Sequence, residues 1–312
     1  MTLSGSATAT TITDALGNYS FNGLASGGTF TVTPSKAAVP PGGAGITNTD
    51  VLAIQRHFLG VTLIPAGCRL SAADVVLNGT VNNSDVIAVQ RFFLGQTAGT
   101  GSAGQYVFTP SNGSYPSLAA NQINQNYAAY VIGDAASPFA NRDNGPSPDG
   151  MIGNELRTSN VANISLPNVA LGQSRTLLTV VVTSSAIDEK DNLVGFSGDL
   201  TFDERVITFA NEPVQKAGLT GGNWNVAGNV LDGPGPIRTL RISAYSTDFT
   251  PLSGGGVLFE LRLIPREKWT QGTTTLNWAQ PPNDFSFADA ELNTHRPVTT
   301  EPGKIVIQFH RE

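Results

Sequence analysis

An internal repeat constrains this chain more than any other feature of its sequence. The segments Asp50–Gly60 and Asp85–Gly95 read D-V-L-A-I-Q-R-H-F-L-G and D-V-I-A-V-Q-R-F-F-L-G. Apolar residues recur at helical spacing in both copies. Each copy opens with an aspartate, which suits the positive end of a helix, and closes with a glycine, which suits a helix C-terminus. We therefore predict two short helices that pack on each other, since neither can bury its apolar face alone.

The loop before the second copy has the spacing of a calcium-binding loop. Such a loop takes oxygen ligands at positions one, three, five, seven, nine and twelve, with glycine at position six. Gly79 fits, whereas Val76 at the third position brings no side-chain oxygen, and the loop before Asp50 lacks most of the ligands. We predict calcium in the second loop, the first being doubtful; the alternative is a solvated loop without metal. The predicted ligands are Asp74, Asn78, Thr80, Asn82 and Asp85.

The duplicated loop and helix, about residues 39–95, resemble the dockerin family. In that family, the pair before the last loop aspartate and a polar or basic pair on the helix face contact a cohesin partner. The resemblance implies that role for Asn48, Thr49, Gln55, Arg56, Asn83, Ser84, Gln90 and Arg91. The alternative is that these residues form a solvated helix face.

Short alternating strands separated by glycine turns fill residues 1–36. The stretch T-D-A-L-G-N-Y-S-F-N-G-L-A-S-G-G-T-F-T-V-T-P resembles the prealbumin-like sandwiches of collagen-adhesin B-type and carboxypeptidase regulatory-like domains. Because so few strands cannot form a core alone, we expect the later strands in residues 104–134. The dockerin-like insert, residues 37–103, would then split the sandwich. Strands expected before Met1 were either removed or are supplied by another chain.

The rest of the chain consists of a turn-rich linker, residues 135–159, and one all-β domain, residues 160–312. Short apolar runs separated by Gly, Pro, Asn and Asp predict a jelly-roll sandwich there. The stretches G-F-S-G-D-L-T-F-D-E-R-V-I at 195–207 and R-I-S-A-Y at 241–245 resemble cohesin strands. The predicted fold class is therefore mainly β: a small split prealbumin-like sandwich and a cohesin-like jelly roll, with an α-helical dockerin-like insert.

Composition excludes several classes of function. The net charge of −6 and the lack of Lys/Arg clusters argue against nucleic-acid binding. No apolar run approaches the ~18 residues of a membrane span. The single cysteine, Cys68, allows no disulfide within the chain. We find no catalytic motif and no metal-binding histidine spacing, so we predict a protein that is not an enzyme.

Two functions remain open. The first is an extracellular or cell-surface structural protein that associates head to tail into a fibre or scaffold, through a cohesin–dockerin-like contact, strand complementation or both. Its partner would be a second copy or a cohesin- or dockerin-type protein. The second is a carbohydrate-binding or adhesion module, for which Trp224 in a glycine-rich stretch is the expected exposed platform. Sequence leaves open whether the cohesin-like face meets its own insert.

Overall fold

The computed structural model describes residues 1–136, 161–171, 176–266 and 271–308. The prediction of a mainly β protein is confirmed: four sheets and three α-helices make up the described chain. The predicted linker, residues 135–159, falls almost entirely outside the described residues.

Both copies of the repeat form helices of matching length. The three α-helices are α1 (Asn48–Phe58), α2 (Cys68–Ala73) and α3 (Asn83–Phe93). The short helix α2 was not predicted. Helices α1 and α3 pack against each other through Val51, Ile54, Val86 and Val89, which are fully buried.

Each repeat helix begins two residues before its predicted aspartate, because that aspartate completes a capping box. Asp50 accepts a hydrogen bond from the backbone of Thr47, and Asp85 accepts one from the backbone of Asn82. Gly60 and Gly95 follow the helix ends with φ of 70° and 76°. That left-handed conformation costs glycine little and ends the helix.

The N-terminal region holds six short strands in two sheets. Strands β1, β2, β3 and β5 form one sheet in the order β2-β1-β3-β5, and β4 pairs with β6. Strand β5 lies after the helical segment in sequence, yet it pairs with β3 before that segment. The strands are β1 (Thr2–Gly5), β2 (Ala9–Thr10), β3 (Phe30–Thr33), β4 (Tyr106–Thr109), β5 (Gly113–Tyr115) and β6 (Ala128–Val131).

One predicted strand of this region does not form. The alternating stretch Asn18–Phe21 has no regular secondary structure, although Tyr19 and Phe21 pack on the small core of Leu3, Phe30 and Val32. The prediction was wrong because a strand needs a neighbour to take its backbone hydrogen bonds, and no described strand lies beside this stretch.

The C-terminal region is a sandwich of two sheets. The larger sheet runs β12-β13-β10-β15-β19-β8, with β16 also on β10 and β17 on β16; the other runs β11-β14-β9-β7-β18. The strands are β7 (Asn163–Ser165), β8 (Asn168–Leu171), β9 (Leu178–Ile187), β10 (Leu193–Asp203), β11 (Ile207–Lys216), β12 (Trp224–Leu231), β13 (Ile237–Ser246), β14 (Gly254–Pro265), β15 (Gln271–Trp278), β16 (Ser286–Asp289), β17 (Thr294–His295), β18 (Thr299–Glu301) and β19 (Gly303–Gln308). Two single-turn 3₁₀ helices connect strands that are consecutive in sequence but lie in different sheets: Glu189–Asp191 joins β9 to β10, and Gly218–Thr220 joins β11 to β12.

Two apolar cores meet at the larger sheet. Phe196, Phe259 and Phe285 stack inside the sandwich. A second core lies between the sheet's outer face and the helices; Tyr245 and Val194 are its fully buried members from the sandwich. The helical segment, residues 47–95, is thus packed on the sandwich of its own chain.

Candidate partner-binding interface

Strand β13 is buried on both faces, which makes it the centre of the contact between helices and sheet. Alternate residues of a strand point to opposite faces. Leu240 and Ile242 lie in the sandwich core, whereas Ser243 and Tyr245 face the helical segment. We call this outer surface, formed by β10, β12 and β13, the docking face.

Helix α1 contributes polar side chains that bond to the docking face. The amide nitrogen of Asn48 donates to the carbonyl oxygens of Phe196 and Ala244, each at 3.2 Å. The hydroxyl of Ser243 donates to Oδ1 of Asn48 at 2.6 Å. Asn48 is 4% exposed, so these bonds replace water at every polar atom of its side chain.

The two glutamines at equivalent places in the repeat also point into the contact. Gln55 Nε2 donates to the carbonyl of Ser246 at 3.0 Å. Gln90 Nε2 donates to Oδ1 of Asn225 at 3.0 Å and lies 3.2 Å from Oγ of Ser243. The pseudo-symmetric helix pair thus presents the same side chain twice to one sheet.

A glycine of the docking face admits an apolar side chain of α1. A Cβ atom built on Gly195 would lie 2.7 Å from a methyl group of Leu52, which is shorter than any allowed contact. Leu52 is fully buried. A larger residue at position 195 would therefore force the Leu52 side chain to shift, and its Cβ would also lie 3.2 Å from the carbonyl oxygen of Ala244.

A buried ion pair binds the C-terminal end of α3. Arg241 makes a bidentate pair with Asp199, at 2.8 and 2.9 Å. Its third nitrogen donates to the carbonyls of Gly42 and Phe93. A cation at the negative end of a helix is favourable, and Asp199 keeps the buried charge paired.

Among the described residues, the other predicted partner-binding residues show no hydrogen bond to the docking face. Asn83, Ser84 and Arg91 are exposed. Thr49 is half-buried, and so is Arg56, whose Nη2 donates to Thr62. Burial lowers the pKa of the Arg56 guanidinium, opposed by the nearby charges of Glu291 and Asp289. The structure thus brings together Asn48, Gln55 and Gln90 from the predicted set.

Sequence reasoning missed the whole sheet side of the contact. Arg241, Ser243 and Tyr245 recur at every second position of β13, between core residues. The alternation of polar and apolar residues along this strand was the available signal in the sequence. Asn229, whose amide donates to the carbonyl of Leu94, lies in a strand that was not predicted at all.

In the predicted calcium loop, the side-chain oxygens face the loop's own backbone. Asp74 accepts from the N–H groups of Asn78 and Gly79. Asp85, fully buried, accepts from Val76 and Asn82. The third loop position therefore presents an N–H to Asp85 where a calcium loop has an oxygen ligand. Because Val76 brings no side-chain oxygen and Asp85 is buried on two N–H groups, the loop offers fewer ligands in this arrangement than a calcium loop does, and calcium stays a prediction of the sequence.

Asp50 repeats this arrangement in the first loop. Its Oδ1 accepts from the N–H groups of Ala135 and Ala136, each at 2.9 Å, and its Oδ2 accepts from Thr47. The chain returning from β6 is thus fixed to the start of α1. Both aspartates of the repeat cap a helix; Asp50 also binds a distant backbone segment, whereas Asp85 binds Val76 in its own loop.

The expectation that Trp224 is an exposed platform is wrong. Its side chain is 6% exposed and stacks on Phe196 at 5.8 Å between ring centroids. Trp278 is also buried, and Trp269 lies outside the described residues. The surface at Trp224 therefore gives no support to sugar binding, because a sugar platform must expose its ring.

The described histidines have structural contacts. His57 Nδ1 accepts from the N–H of Ile64, and His295 Nε2 lies 2.8 Å from Asp289. In the part of the chain that the structure describes, no three His, Cys, Asp or Glu side chains are grouped to hold a metal. Over the same residues, no helix has the length and apolar character to cross a membrane.

About half of the chain is similar to cohesin domains of known structure. No protein-family model and no curated protein matches the sequence. Among solved structures, the chain is similar to a type I cohesin–dockerin complex, Coh-OlpC-Doc435, from Clostridium thermocellum (13% identity, TM-score 0.38, covering 49% of this chain and 97% of that one). It is also similar to a non-cellulosomal cohesin from the archaeon Archaeoglobus fulgidus (18% identity, TM-score 0.33, covering 47% of this chain and 91% of that one).

A third similar structure is a type II cohesin domain from the cellulosome of Acetivibrio cellulolyticus (11% identity, TM-score 0.35, covering 46% of this chain and 94% of that one). No statement about the partner of this chain follows from likenesses this low.

Proposed function

We propose that this chain is a non-enzymatic extracellular structural protein that self-associates head to tail into a fibre or surface scaffold. The helical segment would act as a dockerin-like plug and the C-terminal sandwich as a cohesin-like socket. The observation that carries the proposal is the set of hydrogen bonds from Asn48, Gln55 and Gln90 to the docking face. Polar side chains that satisfy the carbonyls of a sheet are typical of specific recognition.

In the structure, plug and socket belong to one chain. Exchange of an identical element between copies is a low-cost route from such a closed form to an assembly. A heterologous contact of this kind builds an open filament unless it closes into a ring. The intramolecular contact has a high effective concentration, so we expect exchange between chains only in concentrated solution.

Paired cysteines test which form exists. In a Cys68→Ser background, we would combine Asn48→Cys with Ser243→Cys, which replaces a contact of 2.6 Å. The repeat provides a matched control, Asn83→Cys with Ser243→Cys, because Asn83 is the exposed copy of Asn48. Oxidation at rising protein concentration, read on non-reducing gels and by electron microscopy, separates the two arrangements.

A concentration-dependent ladder of linked chains, with ordered fibres, would support the proposal. The control pair should give no ladder. A product linked only within the chain at every concentration, together with single particles on the grid, would reject assembly through this contact.

A further inference from the structure

The N-terminal region carries an open groove that the docking face does not explain. It has a volume of about 690 Å³, within the range of natural binding sites. Residues 17–24 line one wall and residues 118–126 line the other. None of the described lining residues belongs to the docking face, so the groove is a separate surface.

Aromatic rings, not the apolar core, are what an occupant of this groove meets. The small core of the N-terminal sheet is buried. Tyr19, Phe21 and Tyr115 pack on that core, line the groove and are themselves half-buried. The ring centroids of Tyr19 and Phe21 lie 6.2 Å apart in an edge-to-face arrangement. Such rings offer a ligand rigid contact area at a low cost in conformational entropy.

Amide side chains are concentrated along both walls. Seven lining residues are asparagine or glutamine, and five of these lie within residues 121–126. All seven are exposed. An amide side chain both donates and accepts hydrogen bonds, as a sugar hydroxyl does. The walls therefore suit a ligand that carries many hydroxyl groups.

The two walls are held together by hydrogen bonds at Gln125. The phenol of Tyr19 donates to the backbone carbonyl of Gln125 at 2.8 Å, and the phenol of Tyr115 donates to its Oε1 at 3.1 Å. Its Nε2 donates to the carbonyl of Ile123 at 2.9 Å. The groove stays open with these bonds made, so less conformational freedom is lost when a ligand binds.

The lining has no charge. None of the described residues that line the groove is Asp, Glu, Lys, Arg or His. Burial raises the pKa of the Tyr19 and Tyr115 phenols, so both stay neutral at physiological pH. A charged ligand would find no opposite charge here, and an apolar ligand would cover the amides without pairing them. The lining therefore favours a ligand that is neutral and polar, with an apolar face for the rings.

We propose that this groove binds a neutral oligosaccharide. A pyranose ring has an apolar face of C–H groups and a rim of hydroxyls, which match the two kinds of side chain present. The C–H face would lie on the rings of Tyr19, Phe21 and Tyr115, and the hydroxyls would bond to the amides of the walls. This binding goes beyond the proposed assembly and needs no contact through the docking face.

The test uses the full-length protein and four neutral glycans: cellohexaose, maltohexaose, N-acetylchitohexaose and a linear mannan hexamer. Immobilised glycans identify a ligand, and calorimetry on dilute protein measures its Kd. We expect at least one of the four to bind. A hexamer of galacturonic acid, which is charged, and an end-capped peptide of alternating threonine and valine are the probes for other classes of ligand.

Matched asparagine variants locate the site. Asn22 lines the groove, whereas Asn112 lies outside it. Each is exposed, precedes a glycine and donates a long hydrogen bond of 3.5 Å to a nearby serine, so neither substitution should disturb the fold. We expect Asn22→Ala to weaken glycan binding about threefold to tenfold and Asn112→Ala to leave it unchanged.

Tyrosine ring signals report the aromatic contact. In nuclear magnetic resonance spectra of protein with isotope-labelled tyrosine, the signals of Tyr19 and Tyr115 should shift as glycan is added. Tyr106 and Tyr130 are also half-buried but lie outside the groove, so their signals should not move. Replacing each tyrosine in turn with phenylalanine assigns its signal.

Each other outcome overturns the inference. These outcomes are no binding to any of the four neutral glycans, equal binding by Asn22→Ala and Asn112→Ala, or unshifted signals of Tyr19 and Tyr115. Binding of the acidic hexamer or of the peptide in place of the neutral glycans would assign the groove to another class of ligand. Because binding is read on dilute protein, failure of fibre formation leaves its result unaffected, and the reverse also holds.

Discussion

Arg241 is the residue on which the docking face depends most. Replacing it with alanine removes the partner of buried Asp199 and the bonds to the carbonyl groups of Gly42 and Phe93. We expect Arg241→Ala to lower the free energy of unfolding by about 3–5 kcal/mol, because an unpaired charge would stay buried. Urea denaturation followed by circular dichroism measures this.

The chain offers a matched surface pair as control. Arg205 bonds both oxygens of Asp203 in the same bidentate manner, but its side chain is 59% exposed. Arg205→Ala should leave the unfolding curve nearly unchanged, since exposed pairs are screened by water. Equal effects of the two substitutions would show that burial of the Arg241 pair has no special role.

Tyr245 gives the docking face a pH dependence at the alkaline end. Burial raises the pKa of its phenol to about 12, from 10 for the free side chain. Because the folded pKa is the higher one, the stabilisation is complete below pH 10 and is lost as the pH rises toward 12. The shift corresponds to about 2–3 kcal/mol.

The variant Tyr245→Phe isolates this group. It should reduce the fall in the free energy of unfolding between pH 10 and 12, while other tyrosines titrate in both proteins. Urea titrations at several pH values give the difference. If the free energy of unfolding falls by the same amount in Tyr245→Phe as in the unaltered protein, the phenol of Tyr245 does not cause the pH dependence.

At the scale of elements, the two repeat aspartates fix the helices to the rest of the chain. Asp50 joins α1 to the segment after β6 through Ala135 and Ala136. We expect Asp50→Ala to lower the free energy of unfolding by about 2–4 kcal/mol. The substitution removes the helix cap and leaves the buried N–H groups of Ala135 and Ala136 without their partner. Asp14→Ala, in an exposed turn, is the control and should have little effect on thermal denaturation.

The same geometry gives an expectation for metal. Because Val76 brings no side-chain ligand and Asp85 is fully buried, we expect neither calcium nor a chelator to change the melting temperature of the helices. Thermal denaturation with each additive measures this. A rise with calcium concentration that Asp74→Asn abolishes would establish the calcium site that the sequence predicts, because binding to the folded state stabilises it.

At the scale of the whole molecule, the contact predicts that the two halves hold together without the linker. A specific protease site placed within residues 137–160 allows the full-length protein to be cut after it has folded. We expect both fragments to elute as one complex, because they share an apolar core as well as hydrogen bonds. Size-exclusion chromatography with light scattering measures the mass.

Loss of the docking side chains should separate the fragments. Each unpaired polar group left by Asn48→Ala with Gln90→Ala costs about 1–3 kcal/mol. A double variant at exposed places, Asn121→Ala with Gln122→Ala, is the control and should stay associated after cutting. Separation of the unaltered fragments would contradict the interface described here.

The local elements follow from patterns in the sequence. The repeat located both helices, since apolar spacing, a first-turn aspartate and a closing glycine act within one turn of the chain. Alternation located most strands of the sandwich. It failed at Asn18–Phe21, where the pattern is right but no described strand lies alongside, and at Trp224, where a glycine-rich stretch forms part of β12.

The surface that the helices contact is set by tertiary packing. Resemblance to a family picked out Asn48, Gln55 and Gln90, but their partners lie 135 to 196 positions away in the chain. Those partners are largely backbone carbonyls, which every residue carries and no sequence pattern marks. Burial of Tyr245 and pairing of Arg241 follow from the same packing. Sequence fixes spacing along the chain, whereas a contact between distant strands and helices depends on how the sheet and the helix pair fit together in space.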